Sequence, residues 1–280
     1  MSSFSILFIS DVCGRPGRQA CAHMIKELRE ELAVDYVVAN VENAAGGFGI
    51  TPEMSRKMFT YGINVQTSGN HIWDRVQILE YLNETPRLLR PANYPDPVSG
   101  YGRYVDTIGI HKVGVINLQG RVFMANIDCP FRTADRIVRE VRKETPIILV
   151  DFHAEATSEK QALAAYLDGK VSAVVGTHTH VQTADEKVSS LGTAYITDVG
   201  MTGPHESIIG MEKSPSLGRF LTGTPKRFSP ATGDVKLQAV VIRIDAGSGE
   251  ATHIERISRD FDLVDYQNRG NSNYNDIDVD

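Results

Sequence analysis

The sequence predicts an α/β fold, with helices layered on largely buried sheet and an antiparallel hairpin near the C-terminal end. Three observations predict it. Strand-length apolar runs recur along the chain, most of them separated by stretches of helical hydrophobic period. Two further segments read as strand, polar turn, strand. The 280 residues, 41% of them hydrophobic, can bury a substantial core and fall within the range of one large domain, expected over residues 1–265.

Taken in order, "SILFIS" is the first strand and "RQACAHMIKELREELA" the helix after it. "YVVANVE" is followed by helical "PEMSRKMFTYG", and "NVQTSG" by "WDRVQILEYLNET". "YGRYVDTIGIHKVGVINLQG" reads as a hairpin. "PIILVDF" and "VSAVVG" are strands joined by helical "SEKQALAAYLDG", and "TAYITDVG" is one more strand. "VKLQAVVIRIDAGSGEATHIERI" is the C-terminal hairpin, turning at "DAGSGEA". Residues 266–280 are polar, acidic and poor in aliphatics, which predicts a flexible tail.

A net charge of −6 without a run of lysines or arginines argues against binding duplex nucleic acid, although a small phosphorylated substrate is still compatible. The first apolar stretch is too short for a secretory core or a membrane span and lacks a basic leader, so the cytoplasm is expected and a membrane partner is not. Cys13, Cys21 and Cys129 show no CxxC spacing, which suits reduced thiols.

The residues that end the apolar runs share a chemistry. Asp11 follows the first, Glu42 and Asn43 the second, Asn70 and His71 the third, His153 ends "PIILVDFH", and His178 and His180 follow "VSAVVG". On an extended segment residues two apart point to the same side, so both histidines of "GTHTH" are expected to face one point. The carboxyl ends of parallel strands line one crevice, and carboxylates, carboxamides and imidazoles gathered there suit manganese, iron or zinc. The set is too large for one ion that keeps a position open for water, but it suits two ions sharing a bridging carboxylate. Such a pair activates water and clamps oxygens at phosphorus, which points to phosphoester hydrolysis.

"D-x-C" after the first strand, "GNH" and "GTHTH" resemble the calcineurin-like metallophosphoesterases, whose pattern runs D-x-H, GD, GNH, H and GHxH. The chain departs from it at Cys13, where most of that superfamily has histidine, and at Glu42 in "VENAAGG", where most have aspartate. With "INLQGR", "DFHAEATSEK", "VVGTHTHVQTAD" and "YITDVGMTGP", those departures are similar to the YmdB-like bacterial branch, whose members hydrolyse 2′,3′-cyclic nucleotides. The similarity runs from Ser5 to Arg259.

The resemblance implies an α/β/β/α sandwich. It implies that Asp11, Glu42, Asn43 and His180 hold one metal, and that a bridging Glu42 joins Asn70, His153 and His178 on the other. The cofactors are then two divalent or trivalent transition-metal ions, iron or manganese first. A metal-bridging hydroxide attacks a small cyclic nucleotide, Asn43 helps to hold the phosphoryl oxygens, and His71 is the general acid. The resemblance gives Cys13 no ligand role. A phosphomonoesterase or 3′,5′-cyclic phosphodiesterase on the same metals, and a nucleotide- or RNA-binding regulator with structural metals, are the rival readings. A homo-oligomer is compatible with all of them.

Other residues divide between structural and functional readings. "CGRPGR" and "NAAGGFG" read as tight turns beside the crevice. Asp198 and Glu155 either cap strand ends or accept a hydrogen bond from a ligand histidine. His23, His111 and His253 are expected to be structural or on the surface, His205 either borders the pocket or is simply exposed, and Trp73 is expected to pack, with stacking on a nucleobase as the alternative. Arg15, Arg18, Arg121 and Arg132 are the candidates for contact with phosphate.

Overall fold

The computed structural model describes residues 3–262, so the tail expected over 266–280 lies outside the described residues. Its strands are β1 (Ser3–Ile9), β2 (Asp11–Val12), β3 (Tyr36–Asn40), β4 (Val65–Thr67), β5 (Arg103–Ile108), β6 (His111–Gln119), β7 (Ile148–His153), β8 (Ala173–Thr177), β9 (Lys187–Val188), β10 (Ala194–Ile196), β11 (Met201–Pro204), β12 (Val235–Asp245) and β13 (Ala251–Asp260). Its helices are α1 (Gly14–Glu31), α2 (Pro52–Thr60), α3 (Ile78–Glu84), α4 (Pro130–Val141), α5 (Thr157–Leu167) and α6 (Lys213–Thr222).

Side chains of β1 alternate, with Phe4, Ile6 and Phe8 on one face and Leu7 and Ile9 on the other, and all are buried. A strand buried on both faces needs a layer against each. Leu7, Ile9, Val37 and Ala39 pack on Ile25 and Leu28 of α1, Met58 of α2 and Leu82 of α3. Phe4, Ile6, Phe8 and Val38 meet Val113, Val115, Leu149 and Val175 of a second sheet. The far face of that sheet, including Ile116, Val150 and Phe152, is covered by Ile137 and Val138 of α4 and Leu163 and Leu167 of α5. The layers are therefore α/β/β/α, as the family resemblance implies.

Both sheets are mixed. The first runs β2-β11-β12-β1-β3-β4 with β13 on β12, and the second β5-β6-β7-β8-β10-β9. Within the first, β1, β3 and β4 are mutually parallel neighbours. Within the second, β6, β7, β8 and β10 are parallel neighbours. Both predicted hairpins form, β5–β6 and β12–β13.

Several elements depart from the sequence-based expectation. The helix expected over "WDRVQILEYLNET" is shortened to α3 and preceded by a 3₁₀ turn, Asn70–Trp73. The intervening residues serve other bonds: Arg75 donates to the carbonyls of Phe48 and Ala45. Helix α4 was not expected, although Pro130 in its first turn and buried Ala134, Ile137, Val138 and Val141 on one face are clear signals. Helix α6 buries only Ser216, so it has no apolar stripe facing the core to read. No helix among the described residues is long and apolar enough to cross a membrane.

Candidate metal centre

The residues singled out at the strand ends meet where the carboxyl ends of parallel strands from both sheets face one another. Asp11 lies on β2, Glu42 and Asn43 follow β3, and Asn70 and His71 follow β4. His153 ends β7, and His178 and His180 follow β8. The crevice thus belongs to two sheets rather than to the edge of one.

His153 Nε2 is the crowded point. It lies 2.9 Å from Glu42 Oε1, 2.9 Å from His178 Nδ1 and 3.2 Å from Asn70 Oδ1. On the other side of Glu42, Asn43 Nδ2 is 3.4 Å from Oε1 and 3.1 Å from His180 Nε2. Asp11 Oδ2 accepts from the His178 backbone N–H at 3.2 Å. Its Oδ1, buried and without a hydrogen-bond partner, is 4.0 Å from His180 Nε2. Glu42, His153 and His178 alone could hold an ion, their ligand atoms all lying within 4.8 Å of one another.

His178 and His180 do not sit on a strand. Both have left-handed backbone, φ 100° and 63°, so the two-residue alternation expected for "GTHTH" does not apply. The reason lies in Thr179 between them, whose N–H and hydroxyl both donate to Asp198 Oδ2, at 3.0 and 2.7 Å. The same oxygen receives the buried Lys160 ammonium at 2.7 Å. The loop is pinned by its middle residue, and the two imidazoles go to different neighbours.

Hydrogen bonds fix which nitrogen of each ring is free. Asp151 receives Thr67 Oγ1 at 2.5 Å, Thr177 Oγ1 at 2.7 Å and Asn40 Nδ2 at 3.1 Å. Burial raises this carboxyl to about 6 against the pull of those donors, leaving it ionised at pH 7. With its proton directed to Asp151, Thr177 can only accept from His153 Nδ1, 2.9 Å away. His178 Nε2 faces the Glu155 carboxylate at 3.1 Å and His180 Nδ1 the Ile209 carbonyl at 2.9 Å. Each neutral ring therefore turns a lone pair inward, from His153 Nε2, His178 Nδ1 and His180 Nε2.

The electrostatics follow. Burial alone would raise Glu42, but the charge on His153 and the His71 N–H bring it down to about 2. Burial alone would lower His153, yet Glu42, Asp11 and Asp151 bring it up to about 9. Burial and the charge of His153 push His178 down to about 3, and burial lowers His180. A single proton on His153 Nε2 cannot serve Glu42 Oε1, Asn70 Oδ1 and His178 Nδ1 together. A multivalent cation can, and the donor set fits one.

His71 stands apart from this cluster. The 3₁₀ turn Asn70–Trp73 carries its side chain away from that of Asn70. Only its backbone N–H reaches Glu42 Oε2, at 3.0 Å. Its Nδ1 is 2.7 Å from Asp74 Oδ2, which leaves Nε2 as the ring nitrogen not engaged by Asp74. Asp74 escaped the sequence reading, although three residues is one turn of helix.

A cavity of about 640 Å³ opens over these groups, lined by Glu42, Asn43, His71, His178 and His180. The family model described as YmdB-like protein matches residues 7–257. The chain belongs to the YmdB-like family. It is 48% identical over 253 residues to a Bacillus subtilis (strain 168) protein named 2',3'-cyclic-nucleotide 2'-phosphodiesterase, covering 90% of this chain and 96% of that one. Among solved structures it resembles a hypothetical protein from Thermus thermophilus at 40% identity, TM-score 0.87, covering 92% of this chain and 100% of that one. It also resembles a novel phosphatase of Mycoplasma pneumoniae at 30% identity, TM-score 0.88, covering 96% and 97%.

In this YmdB-like chain the remaining candidates separate cleanly. Cys13 is buried against Met201 and Met211, and burial with nearby Asp11 pushes its thiol up to about 12. Glu155 reaches a ring nitrogen of His178, whereas Asp198 holds the loop. Trp73 stands edge-on to Tyr94, and His205 bonds the Gly203 carbonyl. Arg18 donates to the Ala44 carbonyl. The arginine that lines the cavity is Arg219 on the unexpected α6, rather than Arg15, Arg18, Arg121 or Arg132.

Proposed function

We propose that this chain is a two-metal phosphodiesterase that opens 2′,3′-cyclic nucleotides, with His71 as general acid. The observation that carries the reading is the convergence of three ring nitrogens, His153 Nε2, His178 Nδ1 and His180 Nε2, around Glu42 and Asn43, with a fourth imidazole held apart by Asp74 in the same cavity. The likeness to the Bacillus subtilis phosphodiesterase supports the substrate. Glu42, Asn70, His153 and His178 would hold one cation, and Glu42, Asp11, Asn43 and His180 the other. Asn43 joins the second set through its Oδ1 after a half-turn of the amide. When bound, two transition-metal ions, iron or manganese, would supply an activated water and positive charge for the phosphoryl oxygens.

The chain's own groups do the rest. The same half-turn releases Asn43 Nδ2 from Glu42 and His180, so that it can donate to a phosphoryl oxygen. Opening the ring breaks one bond between phosphorus and a ribose oxygen. That oxygen takes the proton of His71 Nε2, while Asp74 keeps the ring oriented through Nδ1. The free cysteines suit work in the reducing cytoplasm.

Two measurements test the reading. Incubated with manganese or iron, the wild type should open 2′,3′-cyclic AMP, leaving 3′,5′-cyclic AMP and phosphomonoesters intact; release of inorganic phosphate from AMP would sink it. Metal quantification should give two ions per chain in the wild type and fewer in Glu42→Gln. One ion at saturation, or a variant that keeps both ions and full activity, removes the bridging role.

A further inference from the structure

The cavity has two unlike ends. Its inner end is polar, with Glu42, Asn43, His178 and His180, and its outer wall is made by Phe48, Ile209, Met211, Arg219, Phe220 and Phe228. Helix α6 supplies much of that wall. Ser216, Arg219 and Phe220 fall at the i, i+3, i+4 spacing of one helix face, and all three line the cavity. Phe220 is 82% exposed, so it contributes little to the core. Arg219 lies over the ring of Phe228, 5.6 Å from its centroid. Across the opening Phe48 stands edge-on to His71, with ring centroids 5.1 Å apart. The loop bearing Phe48 sits so close to the wall that a Cβ on Gly47 would come within 2.3 Å of Met211 Cε.

We infer that this wall is a nucleobase subsite, resting on the reading of the chain as a cyclic-nucleotide phosphodiesterase. Phe220 and Phe228 offer faces on which a base stacks, and Arg219 offers guanidinium donors to acceptor atoms on its edge. The cyclic phosphate then lies at the polar end, and a cavity of about 640 Å³ has room for phosphate, sugar and base together. The continuity of the wall with the reacting groups selects this occupant. A second copy of the chain would need about 800 Å² from each partner. Helix α6 exposes only Leu217, Phe220 and Leu221 as large apolar side chains.

The test compares kcat/KM for 2′,3′-cyclic AMP with kcat/KM for ribose 2′,3′-cyclic phosphate, which lacks the base, in metal-loaded protein. The wild type should prefer the base-bearing substrate. Phe220→Ala should lower that preference by about five- to a hundredfold, mainly through KM, and Phe220→Trp should retain it. Equal preference in wild type and Phe220→Ala overturns the subsite. So does a change from oligomer to monomer in light scattering with the preference intact, since the wall would then face a second copy. If the wild type opens neither substrate, the phosphodiesterase reading falls and the subsite with it. If it opens both equally well, only the subsite falls.

Discussion

His153 offers Nε2 to the centre because its Nδ1–H meets Thr177, whose own hydroxyl meets Asp151. Replacing Thr177 with Val keeps the shape and removes both bonds, so manganese affinity measured by calorimetry should fall about 10- to 100-fold, while Thr177→Ser should bind like wild type. Equal affinity in the Val and wild-type proteins would show that the ring needs no such partner. His71, the proposed general acid, gives a different prediction. His71→Ala should keep both metals and lose about 100- to 10,000-fold on 2′,3′-cyclic AMP, yet far less on bis(p-nitrophenyl) phosphate, whose leaving group scarcely needs a proton. Equal losses would make His71 a stabiliser of phosphoryl charge instead. At this scale the sequence discloses donors better than their supports. Asp11, Glu42 and His153 can be picked out because each ends an apolar run. Thr177 and Asp74 acquire their meaning only from the ring nitrogen each one meets, which periodicity cannot show.

The loop of His178, Thr179 and His180 has no regular structure, and two left-handed histidine positions flanking one threonine cost about 1–2 kcal/mol each. Asp198 offsets that cost through Thr179, and Lys160 of α5 fixes Asp198 from below. Asp198→Asn strands the buried ammonium and should destabilise the fold by about 3–5 kcal/mol in denaturant titration. Adding Lys160→Met should restore most of that stability without restoring metal affinity, because Thr179 still lacks its carboxylate. Recovery of both together would assign Asp198 to stability alone. Long elements with one consistent period, such as α1 and the β12–β13 hairpin, were legible from their pattern. The left-handed loop and α6 were not, because neither is shaped by a face turned to the core.

The sandwich gives the proposed centre a structural duty. Asp11, Glu42, Asn43 and Asn70 come from the first sheet, and His153, His178 and His180 from the second. Cations held by both sets would tie the layers together beyond the apolar contacts of Phe8, Val38, Leu149 and Val175. Removing metal with a chelator should therefore lower Tm, and manganese at a hundredfold excess over its Kd should restore about 5–10 °C. A Tm indifferent to metal would mean that no ion bridges the sheets. The layer order was legible through the family resemblance, and apolar runs buried on both faces agree with it because they require covering on both sides. The meeting of Asn70 and His153 was legible only through that resemblance, since periodicity cannot show a contact between residues 83 positions apart.

That division of donors between two layers also bears on time. Asp11, Glu42 and His153 are wholly buried, whereas the cavity opens over Glu42, Asn43, His178 and His180. Ions held as proposed would be walled in on the side of the strands and open only toward the cavity, so they would come and go by the door the substrate uses. A bound substrate would then slow metal exchange, and the occupied enzyme would keep its ions longer than the idle one.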